Sequence, residues 1–246
     1  MKVVFDFFCA FIGLVILSPI ILLCAILIWL QDYHSPFFLG ERVGKNGRLF
    51  KMIKLRSMVK AADKAGIDST SSQDPRITQI GRFVRRYKLD EISQLFNVVK
   101  GEMSLVGPRP NVKRETDLYS KEEVHLLDVC PGITDIASIV FADEGEILQN
   151  HDDPDIAYNQ LIRPWKSQLG LFYIKHQSFA LDIKIIYLTV LCIVSRSRAL
   201  EKVALLLKKL KAPEELIQIS LRKNPLRPTP PPGFDSIVTS RQLSPS

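Results

Sequence analysis

Metal-ligating and thiol chemistry have little to draw on in this 246-residue chain, which carries only four cysteines and four histidines. Cys9, Cys24, Cys130 and Cys192 are scattered, two of them inside an apolar run, so neither a zinc site nor a disulfide framework is indicated. Reducing, cytoplasmic exposure suits them. His34, His125, His151 and His176 have neither metal-cluster nor catalytic-triad spacing, and the 12 glycines form no phosphate-loop or dinucleotide pattern. Acidic charge is short as well: 26 Asp+Glu against 33 Lys+Arg leaves a net charge of +7. That excess suits an anionic partner, whether phospholipid head groups, a nucleotide or nucleic acid. An apolar share of 46% excludes a disordered chain, and there is no internal repeat. A single long apolar run excludes a polytopic membrane protein.

That run, Val3–Leu30, is broken only by Asp6, Gly13, Ser18 and Pro19. It is too long for a signal-peptide core, has only Lys2 in front of it, and no cleavage site follows. As a straight helix it would measure about 42 Å, against roughly 30 Å of hydrocarbon, so the plain reading is a tilted membrane anchor. Ser18-Pro19 permits another form. Pro19 has no N–H, so the Val15 carbonyl loses its helical partner within lipid. The Ser18 hydroxyl can bond back to an upstream carbonyl and helps bend the helix. A break there would let the segment turn back and place Lys2 and Asp6 at the same interface as Gln31-Asp32.

Beyond it, Ser35–Met58 reads as a hairpin turning at Gly44–Gly47, and Val59–Pro75 as a mobile polar loop. A helical pattern begins at Ile80 and closes at Lys100-Gly101; Met103–Pro110 reads as a tight turn, followed by a second helix around Lys121–Val129. Tyr158–Trp165, Leu169–Phe179 and Asp182–Val194 follow, the last too short to span a bilayer. Leu200–Leu210 is amphipathic and basic, fitting a membrane surface or a core-facing helix equally. The tail from Asn224 is Pro-rich and is expected to be disordered.

Chemistry concentrates between Arg76 and Glu91. Arg76, Arg82, Arg85, Arg86 and Lys88 precede Leu89-Asp90-Glu91, and Arg82, Arg85 and Arg86 would share one helix side. Cations followed by two acids at a helix start would form a phosphate and metal site, with the helix N-terminus holding Asp90 ionised. An ionised carboxylate can attack phosphorus or hold Mg²⁺ between phosphate oxygens. A solvated charged helix start is the plain alternative. Arg109, fixed between Pro108 and Pro110, suits a bidentate phosphate contact, and Lys54 and Arg56 on a strand could join the same anionic site. Asp153-Pro154-Asp155 has the Asp-x-Asp form of metal-dependent sugar transferases, although its proline favours a helix cap or turn.

Taken together, these motifs resemble the bacterial sugar transferases of the small, monotopic polyprenyl-phosphate phosphoglycosyl transferase type. The matching text runs from Lys2 and Asp6 through Ser18-Pro19, Arg42-Val-Gly44, Phe50–Met58, Asp74–Thr78, Gly81-Arg82, Leu89-Asp90-Glu91, Gln94, Asn97–Gly101, Met103–Pro110 and Pro131–Thr134 to Asp182 and Thr189. The resemblance implies that a UDP-sugar gives its sugar-1-phosphate to undecaprenyl phosphate, releasing UMP. Asp90 would be the nucleophile, with Mg²⁺ beside it, and Glu91 a base or metal-organising group. Lys54, Arg56, Arg85 and Arg109 would bind phosphates. It also implies an α+β, mostly helical fold, with a re-entrant membrane helix broken at Ser18-Pro19 over residues 1–31. This would pack on a catalytic domain over 32–195, followed by basic amphipathic helices over 196–223 and the tail over 224–246. The chain opens directly on the anchor, as the small catalytic-domain form does.

The location implied is the cytoplasmic face of a bacterial inner membrane. The partners would be UDP-sugar, undecaprenyl phosphate and membrane lipids, with no nucleic acid, and a homodimer is allowed. The product would start a capsule, exopolysaccharide, O-antigen or glycoconjugate. The chain departs from the family's usual text at Leu39-Gly40, at Ser93 and after Thr134. There Asp135-Ile-Ala-Ser138 replaces a Gly-x-Ala-Gln stretch and the subsequent Asn-Gly-Arg is missing. Rival readings are a glycosyltransferase working through Asp153 and Asp155, which would release UDP, and a non-catalytic basic membrane adaptor.

Overall fold

A computed structural model describes residues 1–62, 70–71, 73–149 and 151–240. It is mostly helical, with two small two-stranded sheets, as the α+β expectation requires. Part of the polar loop expected over Val59–Pro75 and the last six residues of the tail lie outside the described residues.

Helix α1 (Lys2–Asp32) continues through Pro19, so Ser18 and Pro19 do not end it. The local cost of the proline is met as its chemistry suggests: Ser18 Oγ donates to the Val15 carbonyl at 2.8 Å, the group that Pro19 leaves without a helical donor. One face is buried at Asp6, Ala10, Ile21, Cys24, Ala25 and Ile28. At Gly13 a Cβ would come within 3.2 Å of Leu95 Cδ1, so the glycine permits close seating on the helix below. The opposite face exposes Phe8, Phe11, Val15, Ile16, Leu22 and Leu23. It is the one helix among the described residues long and apolar enough to cross a membrane.

Both ends of α1 are fastened to the same domain. At the start, Lys2 Nζ donates to Asp182 Oδ2 at 2.6 Å and to the Val106 carbonyl at 3.0 Å, and Asp6 accepts from Ser104 Oγ at 2.6 Å. At the other end, Arg56 Nη1 and Nη2 donate to the two oxygens of Asp32 at 2.5 and 2.6 Å.

Strands β1 (Phe37–Val43) and β2 (Leu49–Leu55) form the expected hairpin, antiparallel from Phe37↔Leu55 to Val43↔Leu49. Its turn needs left-handed backbone at Asn46 (φ 56°) and Gly47 (φ 75°), residues that tolerate it. The single helical pattern from Ile80 resolves into three pieces: α2 (Gln79–Arg86), α3 (Leu89–Ile92) and α4 (Leu95–Val99). Met103–Pro110 is not simply a turn. It begins with β3 (Ser104–Val106), which pairs in parallel with β4 (Gly132–Thr134) before the Gly107–Pro110 loop. A Cβ on Gly132 would lie 2.1 Å from the Gly107 backbone nitrogen, so only glycine allows this approach.

After α5 (Lys113–Thr116), the second expected helix is a short 3-10 turn over Glu123–Asp128. Then come α6 (Ile136–Val140), α7 (Glu144–Leu148), α8 (Pro154–Leu161), α9 (Arg163–His176), α10 (Phe179–Val194), α11 (Arg196–Lys209) and α12 (Glu214–Leu221). The largest apolar cluster draws Ile136, Ile139, Leu148, Ile162, Leu169, Ile185 and Leu207 from α6 to α11. Helix α11 is therefore core-facing: it buries Ala199, Leu200, Val203, Ala204, Leu206 and Leu207, and packs into this same apolar cluster. The tail also departs from the expectation of disorder. The Thr229 N–H donates to the Gln160 carbonyl at 3.0 Å, Gln160 Nε2 donates to the Val238 carbonyl at 2.6 Å, and Val238 is buried.

Candidate active site

The site is assembled where the end of β2 meets α2, α3 and the Gly107–Pro110 loop. Thr78 caps α2, its hydroxyl accepting from the Gly81 N–H at 2.9 Å. A Cβ on Gly81 would lie 1.9 Å from the Ser57 carbonyl oxygen, so glycine lets α2 press directly on the strand end. That contact sets Arg85, whose Nε donates to Ser57 Oγ at 2.8 Å. The three arginines of α2 do not share one environment: Arg85 is half-buried, whereas Arg82 and Arg86 are exposed.

Lys88 then takes a left-handed conformation (φ 56°), uncommon for a residue with a side chain. It ends one helical path and starts another, so that Asp90 falls in the first turn of α3 and is buried, at 8% exposure. Asp90 Oδ1 has no hydrogen-bond partner among the described residues. Gln94 follows four positions later along a path still in right-handed helical backbone, and both polar atoms of its fully buried side chain are likewise without partners. Neighbouring Glu91 accepts from Arg109 Nη2 at 2.6 Å.

The electrostatics correct one expectation. A single turn of four residues has little dipole, and burial pushes the Asp90 carboxyl above its usual range instead of the helix start holding it ionised. Lys54 is the largest influence in the opposite direction, followed among the cations by Arg85. Burial, with Arg109 nearby, lowers Lys54 itself to about 8. Burial would raise Glu91, but the Arg109 and Lys54 charges outweigh it and hold that carboxylate well below its usual range.

Of the residues expected to bind phosphate, Lys54, Arg85 and Arg109 bear electrostatically on the Asp90–Glu91 pair. Arg56 does not join them. All three of its nitrogens are engaged, Nε with the Ser35 carbonyl and the other two with Asp32, so it fastens the hairpin to α1. Arg76 is held by Asp74 and the Ala62 carbonyl. Asp153 caps α8, accepting from the Asp155 and Ile156 N–H groups at 3.0 and 3.2 Å, as its following proline suggested. Sequence reasoning missed Ser57 as the residue that aims Arg85, and Glu144, which pairs with Lys166 and lies near enough to influence Arg109. Ser57 lay inside a quoted motif, but only the fold reveals its partner.

No group of three or more His, Cys, Asp or Glu side chains that could hold a metal ion occurs among the described residues. The donors present are the two carboxylates of Asp90 and Glu91, one with an unpartnered oxygen. That set suits Mg²⁺, which is commonly held by one or two carboxylates together with substrate phosphates.

Residues 1–196 match the family model described as bacterial sugar transferase. A Bacillus subtilis (strain 168) protein provisionally named as an undecaprenyl-phosphate N-acetylgalactosaminyl 1-phosphate transferase is 47% identical over 49% of this chain and 68% of its own length. The UDP-N-acetylgalactosamine-undecaprenyl-phosphate N-acetylgalactosaminephosphotransferase of Aeromonas hydrophila is 33% identical over 75% of this chain and 41% of its own. The undecaprenyl-phosphate glucose phosphotransferase of Komagataeibacter xylinus is 39% identical over 77% of this chain and 35% of its own. The chain thus spans less than half the length of the latter two. A family match covering both the apolar helix and the Asp90–Glu91 site places this chain in the bacterial sugar transferase family.

Proposed function

We propose that the chain transfers sugar-1-phosphate from a UDP-sugar to undecaprenyl phosphate, releasing UMP and initiating a surface polysaccharide or glycoconjugate. The names of its relatives support the substrate class. The observation that carries the mechanism is Asp90: a buried carboxylate with an unpartnered oxygen, in the field of Lys54 and Arg85. A poorly solvated carboxylate is more nucleophilic once ionised, and the cations that oppose its protonation are the groups that would hold the donor's phosphates.

In the first step an Asp90 oxygen attacks the sugar-proximal phosphorus. The bond from that phosphorus to the bridging oxygen breaks, and UMP departs with the electron pair. In the second, an oxygen of undecaprenyl phosphate attacks the same phosphorus and displaces Asp90 as a carboxylate, leaving the lipid diphosphosugar. Arg85 and Lys54 would neutralise charge on the transferring phosphoryl group, and Arg109 would present its fork to a phosphate from a position braced by Glu91. Glu91, held ionised by Arg109, is a poor base and serves better to organise a metal. Mg²⁺ held by Asp90 and Glu91 would offset charge on the donor phosphates.

The fastening of both ends of α1 to one water-facing domain favours a re-entrant or interfacial helix over a straight span, with the domain on the cytoplasmic face. A soluble nucleotide sugar and a lipid-borne phosphate would then meet at one interface.

The test is a panel of UDP-sugars with undecaprenyl phosphate and Mg²⁺, following the released nucleotide. UMP is expected; UDP would indicate a glycosyltransferase. Asp90→Asn should lower kcat by about three or more powers of ten, and rapid quenching with labelled donor should trap a phosphosugar on the wild-type protein. Unchanged turnover in Asp90→Asn would overturn the reading.

A further inference from the structure

Lys88 stands at the cap of α3, two residues before Asp90, and its left-handed backbone leaves the side chain exposed. The ammonium forms no hydrogen bond or ion pair among the described residues. Its charge bears on Asp90 and Glu91, and it lies near enough to influence Glu144 of α7 and Cys192 of α10. The cations assigned to the donor are placed differently. Lys54, Arg85 and Arg109 are half-buried, and the two arginines are bonded to Ser57 and Glu91. Exposed apolar surface approaches Lys88 from two elements. In α2, Phe83 and Tyr87 are each 54% exposed, with ring centres 4.9 Å apart. The same helix seats Ile80 and Val84 in an apolar cluster with Ile21, Cys24, Ala25 and Ile28 of α1. In α10, Val190 and Val194 stand two positions before and after Cys192 and are 58% and 80% exposed.

We propose that Lys88 receives the phosphate of the lipid acceptor, and that the first isoprene units of its chain lie over Phe83 and Tyr87. The inference rests on the phosphoglycosyl transfer reading. In the second half-reaction an oxygen of the lipid phosphate attacks the phosphorus held on Asp90. The bond from that phosphorus to Asp90 breaks, and its electron pair returns to the carboxylate. Two anions must therefore come together, the phosphosugar on Asp90 and the incoming phosphate monoester. Lys54, Arg85 and Arg109 serve the first; without a cation of its own the second is held off by repulsion. Lys88 is unpaired and adjoins Asp90 in the chain, and lysine is a compact charge on a flexible stem, suited to meeting a mobile phosphate. The aromatic pair indicates which phosphate. Isoprene units gain by covering exposed Phe83 and Tyr87, and α2 is seated on the helix whose other face is exposed and apolar. A ligand that joins that surface to Lys88 carries its phosphate on a membrane-borne chain.

The test separates the half-reactions. Wild type, Lys88→Asn, Lys88→Gly and Lys88→Arg are first loaded with labelled UDP-sugar and Mg²⁺, and the UMP released is counted. The loaded protein is then mixed with increasing undecaprenyl phosphate in neutral detergent or with water-soluble farnesyl phosphate. Asparagine and glycine both tolerate left-handed backbone, so these variants remove the charge and keep the turn; should one fail to fold, the other carries the test. The acceptor concentration giving half-maximal transfer is expected to rise about tenfold or more with both acceptors, and to stay within about threefold of wild type in Lys88→Arg. UMP released on loading should change little, because the donor is held by other cations. An unchanged acceptor dependence in the folded variants would overturn the proposal. So would a rise confined to undecaprenyl phosphate presented in anionic vesicles, which would assign Lys88 to phospholipid head groups. If wild type released no UMP on loading with any UDP-sugar, the transferase reading itself would fall, and the proposal with it.

Discussion

Arg109 Nη2 donates to Glu91 Oε1 at 2.6 Å, tying the rigid Pro108–Pro110 loop to the residue beside Asp90. The guanidinium is held in one orientation by a carboxylate and by prolines on both flanks. Lysine could keep the charge but not the fork. Arg109→Lys should therefore lower kcat/KM for the donor by about 10- to 100-fold with the fold intact, as checked by steady-state kinetics alongside a thermal melt. Full activity in this variant would remove Arg109 from the phosphate site.

The pH profile should be bell-shaped. Burial raises Asp90, so the acid limb reflects loss of its ionised form as pH falls through its elevated value. Lys54 is lowered to about 8, so the alkaline limb should begin near there as its charge is lost. The stability effect has the opposite sign. Between about 8 and the unfolded lysine value near 10.4, the unfolded chain binds more protons, so the Lys54 contribution to stability rises with pH while activity falls. Lys54→Arg should move the alkaline limb upward; an unmoved limb would exclude Lys54 as its origin.

Arg56→Ala separates two roles for that residue. Loss of its bonds to Asp32 and Ser35 should cost about 1–3 kcal/mol of stability, measured by denaturant unfolding in detergent. Turnover of the remaining folded protein should stay within about threefold, because all three guanidinium nitrogens are already bonded to Ser35 and Asp32. A loss of several hundredfold with unchanged stability would return Arg56 to the phosphate site.

The topology of α1 is tested by single cysteines placed at Met1 and at Tyr33 in a variant lacking the four native thiols. Both positions are well exposed, and both lie next to ends of the helix that are bonded to the same domain. A membrane-impermeant maleimide should label both from the same side of sealed vesicles. Labelling from opposite sides would establish a straight span.

Much of this molecule could be read along the chain. The hairpin follows from apolar stretches flanking Gly44–Gly47, the bend-prone chemistry of α1 from Ser18-Pro19, and the influence of Arg85 on Asp90 from their closeness along the chain. These readings need only nearest neighbours. What failed needed partners far apart. Lys54 lies in β2 and Arg56 just past its end, two positions on, but their different fates are decided by Asp32 from α1 and by the Asp90–Glu91 pair from α3. The apolar residues of α11 fit a lipid surface as well as a core until α6 and α10 cover them. The proline-rich tail likewise looked free until Gln160 supplied its hydrogen bonds.

By itself, then, the order of residues determined local conformation and the kinds of groups present, because backbone preference and hydrophobic period act over a few positions. The tertiary structure alone decided how those groups are charged. Whether Asp90 is pushed up, Glu91 held down or Lys54 brought to about 8 depends on burial and on charges brought from distant parts of the chain. Desolvation and Coulomb interactions act through space, and the distances that set them exist only once the chain has folded.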